Sequence, residues 1–236
     1  MKVSITVDVE HDCPPFLETY RGIEEGMPRL LALLAEENVR GTFFTTGDVA
    51  RRYPGVVRAL VAAGHELGCH GDTHRRFSDL DEHEARREIE DASRTLREHA
   101  EVHSFRAPNL DFPSRYLPIL KRAQFRFDSS EGRHKPGSFF KAPTVEGGLV
   151  RIPASTAPSV VRLPRLIRER VLARMASPVV LFFHPWEFVD LTRAPIPLDC
   201  RFRTGEPALA DLRAAIRFFA SRGATFSRLD DLAAAA

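Results

Sequence analysis

The sequence predicts an α/β fold with mainly parallel strands, and three observations predict it. Short β-branched or aromatic runs alternate with helical periodicities along most of the chain. These runs read as buried strands bounded by turn residues. The side chains able to do chemistry stand at or just after the C-terminal ends of several of them, the edge on which parallel α/β proteins assemble their sites.

The first strand, Ser4 to Asp8, is short, β-branched and closed by carboxylates. A helix follows over Gly26 to Glu37, with Leu30, Leu31, Leu33 and Leu34 at helical spacing and Pro28 near its start. Gly41 to Thr46 forms the second strand. The next helix opens at Tyr53-Pro54 and runs through Ala63, where Gly64 ends it. Glu66 to Cys69 is the third strand and Asp81 to His99 a long amphipathic helix. Its charges, over Glu82 to Glu101, read as a solvated face of spaced ion pairs. Ser104 to Arg106 is a strand, Arg115 to Ala123 a helix and Phe125 to Asp128 a strand. Glu131 to Ser159, rich in Gly and Pro, predicts loops with short strands. Val179 to Phe183 is another buried strand, ending in His184-Pro185. Asp211 to Arg222 is a helix closed by Gly223, and Ala224 to Ser227 the last strand. With no internal repeat or linker, the 236 residues are expected to build one domain over 1–236.

Composition narrows the function. A net charge of +2, with basic and acidic residues interleaved, argues against a nucleic-acid partner. Cys13, Cys69 and Cys200 have no paired short spacing, which argues against a disulfide framework. Cys13 and Cys69 lie beside candidate metal ligands and read as small buried fillers rather than soft ligands. Met1 to Val7 is too short for a secretory signal, and no apolar run reaches the ~20 residues of a span. A soluble cytoplasmic protein without an integral membrane segment is expected. The Pro-rich stretch Thr192 to Pro207 could dock on another subunit, which leaves a homo-oligomer open.

The chemistry concentrates in His70-Gly71-Asp72-Thr73-His74. Two imidazoles four residues apart can face one point and offer two nitrogens to a divalent metal, and a catalytic site needs a third ligand and an open position. The acidic run Asp8-Val9-Glu10-His11-Asp12 supplies candidates. On an extended strand Asp8 and Glu10 point to the same side, and two acids closing a buried strand are costly to desolvate without a partner. A metal beside an activated water makes hydrolysis the first reaction class to consider. Asp8, Glu10, His70, Arg106, Asp128 and His184 all fall at the same predicted edge. His65, His83, His99, His103 and His134 read as core or surface histidines.

Five segments in order give the chain a resemblance to the polysaccharide deacetylase family, the NodB-homology group or carbohydrate esterase family 4. They are Thr6-Val7-Asp8-Val9-Glu10, His70 to His74, Arg106-Ala107-Pro108-Asn109, Phe127-Asp128-Ser129-Ser130 and Leu181-Phe182-Phe183-His184-Pro185. The likeness runs from Thr6 to about Leu229 and points to the intracellular-type branch, which uses spaced rather than adjacent acids on the first strand. It implies a distorted (β/α)7 barrel and one divalent metal, often zinc. Glu10, His70 and His74 would be the ligands, with Asp12 or His11 as alternatives to Glu10. Asp8 would be the general base, oriented and charge-balanced by Arg106, and His184 the general acid that protonates the leaving amine. A backbone N–H near Asn109 would hold the oxyanion, and Pro108, Asn109 and Trp186 would contact substrate. Asn109 stands where a Tyr or Trp is usual, which removes one aromatic wall of a polymer-binding cleft.

The expected function is therefore a metal-dependent hydrolase of non-peptide C–N bonds that removes an acetyl or formyl group from an amino sugar or sugar–lipid conjugate. Its partner would be a small-molecule or carbohydrate substrate. Thr19 to Leu31 is similar to the corresponding region of the arabinose-undecaprenyl-phosphate deformylases, and equally compatible with a loop and helix start. Two other readings remain: a hydrolase of cyclic amides or ureides, as in the allantoinase-like relatives, and a non-catalytic binding protein on the same barrel.

Overall fold

A computed structural model describes residues 1–135 and 141–233. Residues 136–140 of the Gly- and Pro-rich stretch and the alanines at 234–236 lie outside the described residues. The strands are β1 (Lys2–Val9), β2 (Thr42–Thr45), β3 (Glu66–Cys69), β4 (Ser104–Phe105), β5 (Phe127–Asp128), β6 (Thr144–Glu146), β7 (Leu149–Arg151), β8 (Val179–Phe183) and β9 (Thr225–Phe226). They join one sheet in the order β6-β7-β5-β4-β3-β2-β1-β8, with β9 added beside β1. Every pairing is parallel except the β6–β7 hairpin. The seven strands from β7 to β8 thus form the parallel set that the barrel expectation requires. The sheet curls until the segment after β7 meets β8, where the Ser155 N–H donates to the Val180 carbonyl at 2.8 Å and the Val180 N–H to Ser155 Oγ at 2.9 Å. The barrel closes there through single bonds rather than a strand ladder.

The helices are α1 (Met27–Glu36), α2 (Gly47–Arg52), α3 (Pro54–Ala62), α4 (Glu82–Arg97), α5 (Leu117–Arg122), α6 (Arg165–Leu172), α7 (Leu198–Arg201), α8 (Glu206–Ala220) and α9 (Leu229–Ala233). In α4 a capping box sets the start: Asp81 accepts the Glu84 N–H at 2.8 Å, and Glu84 accepts the Asp81 N–H at 3.1 Å. Its buried stripe, Ala85, Ile89, Ala92 and Leu96, packs on the sheet. Four helices were not expected: α2, α6, α7 and α9 are four to eight residues long, and segments that short show too few turns for a periodicity to emerge. The helix expected from Asp211 begins earlier, at Glu206, with Pro207 in its first turn.

Alternation along the strands separates two environments. Val3, Ile5, Val7 and Val9 of β1 pack outward against α1 and α8. Thr6, Asp8 and Glu10 take the other face and are buried. Phe44, Val180 and Ile152 meet Leu229 and Leu232 of α9 in a separate apolar cluster.

Candidate active site

β1 delivers Asp8 and then Glu10, with Val9 turned into the outer core. The His70–His74 segment leaves β3 and is held on two sides. The first N–H groups of α2, from Gly47 and Asp48, donate to the carbonyls of Gly71 and Asp72 at 3.0 and 2.9 Å, spending helix-terminal donors that have no partner within the helix. From α4, Glu88 Oε2 accepts the N–H groups of Asp72 and Thr73, each at 2.9 Å, and its Oε1 accepts the Thr73 hydroxyl at 2.5 Å. Gly71 has φ +75°, a conformation that suits glycine. The segment therefore turns tightly enough to aim both imidazoles inward.

Glu10, His70 and His74 converge: each offers one ligand atom, all within 4.8 Å of one another. Glu10 Oε2 is 3.1 Å from His70 Nε2 and 2.6 Å from His74 Nε2. His70 Nδ1 lies 2.7 Å from the Arg106 carbonyl. A carbonyl only accepts, so that nitrogen carries a proton, which leaves Nε2 as the atom that would face a cation beside Glu10. The donor set, two imidazole nitrogens and one carboxylate, fits a divalent cation with a position left open, and the Nδ1 bond to a backbone carbonyl is the outer support such ligands carry. Burial alone would raise the Glu10 pKa, but the His74 charge and the bonds to His70 and His74 hold it well below the ordinary carboxylate value. His74 is driven down by burial and more strongly up by Glu10, ending above its usual value. Asp12 stands apart: its oxygens accept the Thr19 hydroxyl at 2.6 Å and the N–H groups of Arg21 and Gly22 at 2.9 and 2.8 Å. His11 contacts the edge of His74, ring centres 5.6 Å apart, outside the three-residue group.

Arg106 is fully buried and donates to Asp8 Oδ1 at 2.7 Å, Thr6 Oγ1 at 2.8 Å and Ser129 Oγ at 2.9 Å. Its guanidinium also lies over Phe44, 4.3 Å from the ring centre. A planar fork with three anchors fixes the Asp8 carboxylate in orientation. His184, at the end of β8, has Nδ1 3.0 Å from Glu187 Oε1 and Nε2 3.8 Å from Glu10 Oε1. Burial pushes its pKa down, and the Glu187 bond with the Glu10 charge lifts it to about 9. Trp186 stacks on it at 4.8 Å.

Asp8, Glu10, His70, His74, Asn109, His184 and Trp186 all line one cavity of about 320 Å³. Arg106 lies beneath its floor, and Pro108, also buried, is not part of the lining. Asp128 sits outside the cavity, paired with Arg151 at 2.9 Å. One reading from the sequence needs correction: His134, expected in the core or on the surface, stacks on Phe182 in the cavity wall. Cys13 is a buried member of an apolar cluster, as expected, and also lines the cavity with Cys200. Sequence reasoning missed Glu88 and Glu187. The spacing His184-x-x-Glu187 was visible as a turn-capping pattern; nothing local marked Glu88.

The curled parallel sheet carries its His–His–carboxylate cluster at the C-terminal edge of its strands, where such folds assemble their sites. The family model for polysaccharide deacetylase matches residues 2–127, more than half of the chain, and the chain belongs to that family. It is 37% identical over 84 residues to a chitooligosaccharide deacetylase of Sinorhizobium fredii, a match covering 34% of this chain and 39% of that relative. A candidate polysaccharide deacetylase of Mycobacterium smegmatis superposes with a TM-score of 0.74 at 24% identity, over 98% of this chain and 88% of the other. A carbohydrate esterase family 4 pseudoenzyme of Bacillus anthracis superposes with a TM-score of 0.67 at 17% identity, over 98% and 64%. These likenesses establish the shared fold.

Proposed function

We propose that the chain is a metal-dependent hydrolase that removes an N-acetyl or N-formyl group from an amino sugar or a sugar–lipid conjugate. The observation that carries this reading is the convergence of Glu10, His70 and His74 in the cavity that also holds the Arg106-bound Asp8 and His184. The likeness to the Sinorhizobium chitooligosaccharide deacetylase supports an N-acyl amino sugar.

Glu10, His70 and His74 would hold the cation, zinc by its donor set. A bound divalent cation supplies a polarised acyl carbonyl and a water acidic enough to attack near neutral pH. Asp8, held by Arg106, accepts a proton from the attacking water. His184, protonated through its contact with Glu187, gives a proton to the departing nitrogen as the C–N bond breaks. Water and amide thus become carboxylate and amine, with the protons passing through Asp8 and His184. Asn109 and Trp186 bound the space in which the sugar would sit, and Asn109 offers a polar contact in place of an aromatic wall.

The test is to incubate zinc-loaded protein with N-acetyl and N-formyl amino sugars, free and lipid-linked, and to measure acetate and formate. Release from at least one of them is expected. Silence on these substrates with ring-opening of allantoin or hydantoins would replace this reading with the cyclic-amide one.

A further inference from the structure

Two of the three cysteines meet in the wall of the cavity, one from the turn after β1 and one from α7. Cys13 and Cys200 are free thiols, line the same cavity and pack into one apolar cluster with Trp186 and Leu191. Both backbones are held from outside the pair. On one side the buried Asp12 anchors the turn by accepting the Thr19 hydroxyl and the N–H groups of Arg21 and Gly22. Cys13 itself has φ +44°, a left-handed conformation that costs a residue with a side chain, and its carbonyl accepts the Phe16 N–H at 2.9 Å. On the other side the buried Arg162 guanidinium donates to the carbonyls of Asp199, Cys200 and Phe202 at 2.9, 2.9 and 2.6 Å. The same guanidinium lies 3.3 Å from Glu187 Oε2, and the other oxygen of that carboxylate holds His184.

The two thiols are not equivalent. Cys13 is 3% exposed, whereas Cys200 is half-buried and reachable through the cavity. Their contact with each other raises the Cys13 pKa and lowers that of Cys200, and burial pushes Cys13 further up. The thiolate therefore falls on Cys200, the accessible sulfur, with the Cys13 S–H directed at it. Cys69 is the internal contrast: it is fully buried in β3, and burial pushes its thiol up to about 12. An accessible thiolate beside a second thiol is the arrangement in which an oxidised sulfur is captured as a disulfide before it is oxidised further.

We propose that Cys13 and Cys200 are a redox-active pair, joined into a disulfide in the cavity wall by a peroxide and separated again by a small dithiol. The Cys200 thiolate attacks the O–O bond of hydrogen peroxide, which leaves a sulfenic acid on Cys200 and a hydroxide ion. The Cys13 sulfur then displaces the hydroxyl from that sulfenic acid. The S–S bond forms, and the Cys13 proton leaves with the hydroxyl as water. Together the sulfurs lose two electrons, and the peroxide ends as two waters once hydroxide takes up the proton that Cys200 had released. The bridge ties α7 to the turn that also carries the cavity residues Pro14 and Phe16, so these two parts of the wall can no longer separate. The proposal does not depend on the hydrolase reading, because neither sulfur belongs to the Glu10, His70 and His74 group or moves a proton in hydrolysis.

The test is to treat the folded, full chain with a small molar excess of hydrogen peroxide and to map its tryptic peptides by mass spectrometry without reductant. The expected product is a monomer in which the peptides of Cys13 and Cys200 are cross-linked and Cys69 remains a free thiol. Dithiothreitol should then restore all three thiols. Cys200 should react with peroxide about tenfold faster or more than Cys69. Cys13→Ser should stop at a Cys200 sulfenic acid that dimedone traps, whereas Cys200→Ser should leave Cys13 unoxidised at the same dose. The wild-type map decides the question even where a variant fails to fold. Three free thiols after peroxide, a bridge only between chains, or sulfinic acid at Cys200 with no bridge would overturn the proposal.

Discussion

His70 shows how one hydrogen bond sets the chemistry of a centre. Its Nδ1 proton is committed to the Arg106 carbonyl, so Nε2 is the atom that meets Glu10 and His74. Arg106 therefore serves twice, through its backbone to His70 and through its guanidinium to Asp8. On the proposed reading, roles divide between residues that would hold the cation and residues that would move protons. Asp8→Asn and His184→Ala should each lower turnover about 10²–10⁴-fold while zinc stoichiometry stays near wild type. His74→Ala should lose the metal as well as the activity. Metal content and kcat measured on the same preparations separate the two groups. A binding protein on this barrel would keep its measured function in Asp8→Asn. Asp8, Glu10, His70, His74 and His184 were legible in the sequence because each closes or follows an apolar strand. Glu88 was not, since it sits in the run Glu82 to Glu101 of alternating charges, and only the fold reveals that it is buried against the His70–His74 turn.

At the scale of elements, the ligand turn is a loop clamped between two helices. α2 presents its N-terminal N–H groups and α4 presents Glu88. The strands were readable because each is a compact apolar run. α2 was not: Gly47–Arg52 is a six-residue segment started by a Thr46 cap, with its Val49 N–H 3.2 Å from Thr46 Oγ1. It also follows β2 with no turn residue besides Gly47 to mark the change. Glu88→Ala should leave two loop N–H groups without their acceptor and loosen the turn. We expect zinc affinity to fall about 10–100-fold, as for other residues that support metal ligands from behind, with the fold retained by circular dichroism. Unchanged zinc affinity in a calorimetric titration would show that the turn holds its shape without α4.

For the whole molecule, the two ends of the barrel answer to different demands. The C-terminal edge holds the cavity, while the opposite end is tied together around Glu66. Its carboxylate accepts the Thr42 hydroxyl at 2.6 Å and the Asp230 N–H at 3.1 Å, and bonds the Ser104 hydroxyl, so β2, β3, β4 and α9 meet at one buried acid. Burial, and then the charge of Asp230, raise the Glu66 pKa to about 7. The folded protein thus keeps a proton there that the unfolded chain releases near pH 4–5. Stability from this group is full below that range and falls as pH rises toward 7, by an amount on the order of 3 kcal/mol. Glu66→Gln should flatten the decline in melting temperature between pH 5 and 8; an unchanged slope would place its source elsewhere. The overall parallel α/β plan was legible from the alternation of runs, whereas the closure through Ser155 and Val180 and the role of Glu66 depend on contacts far apart in sequence. The most direct test of the metal centre is anomalous diffraction at the zinc edge from zinc-soaked crystals. We expect one peak about 2.0–2.2 Å from Glu10, His70 Nε2 and His74 Nε2. No peak there, or zinc bound only at other residues, would contradict it.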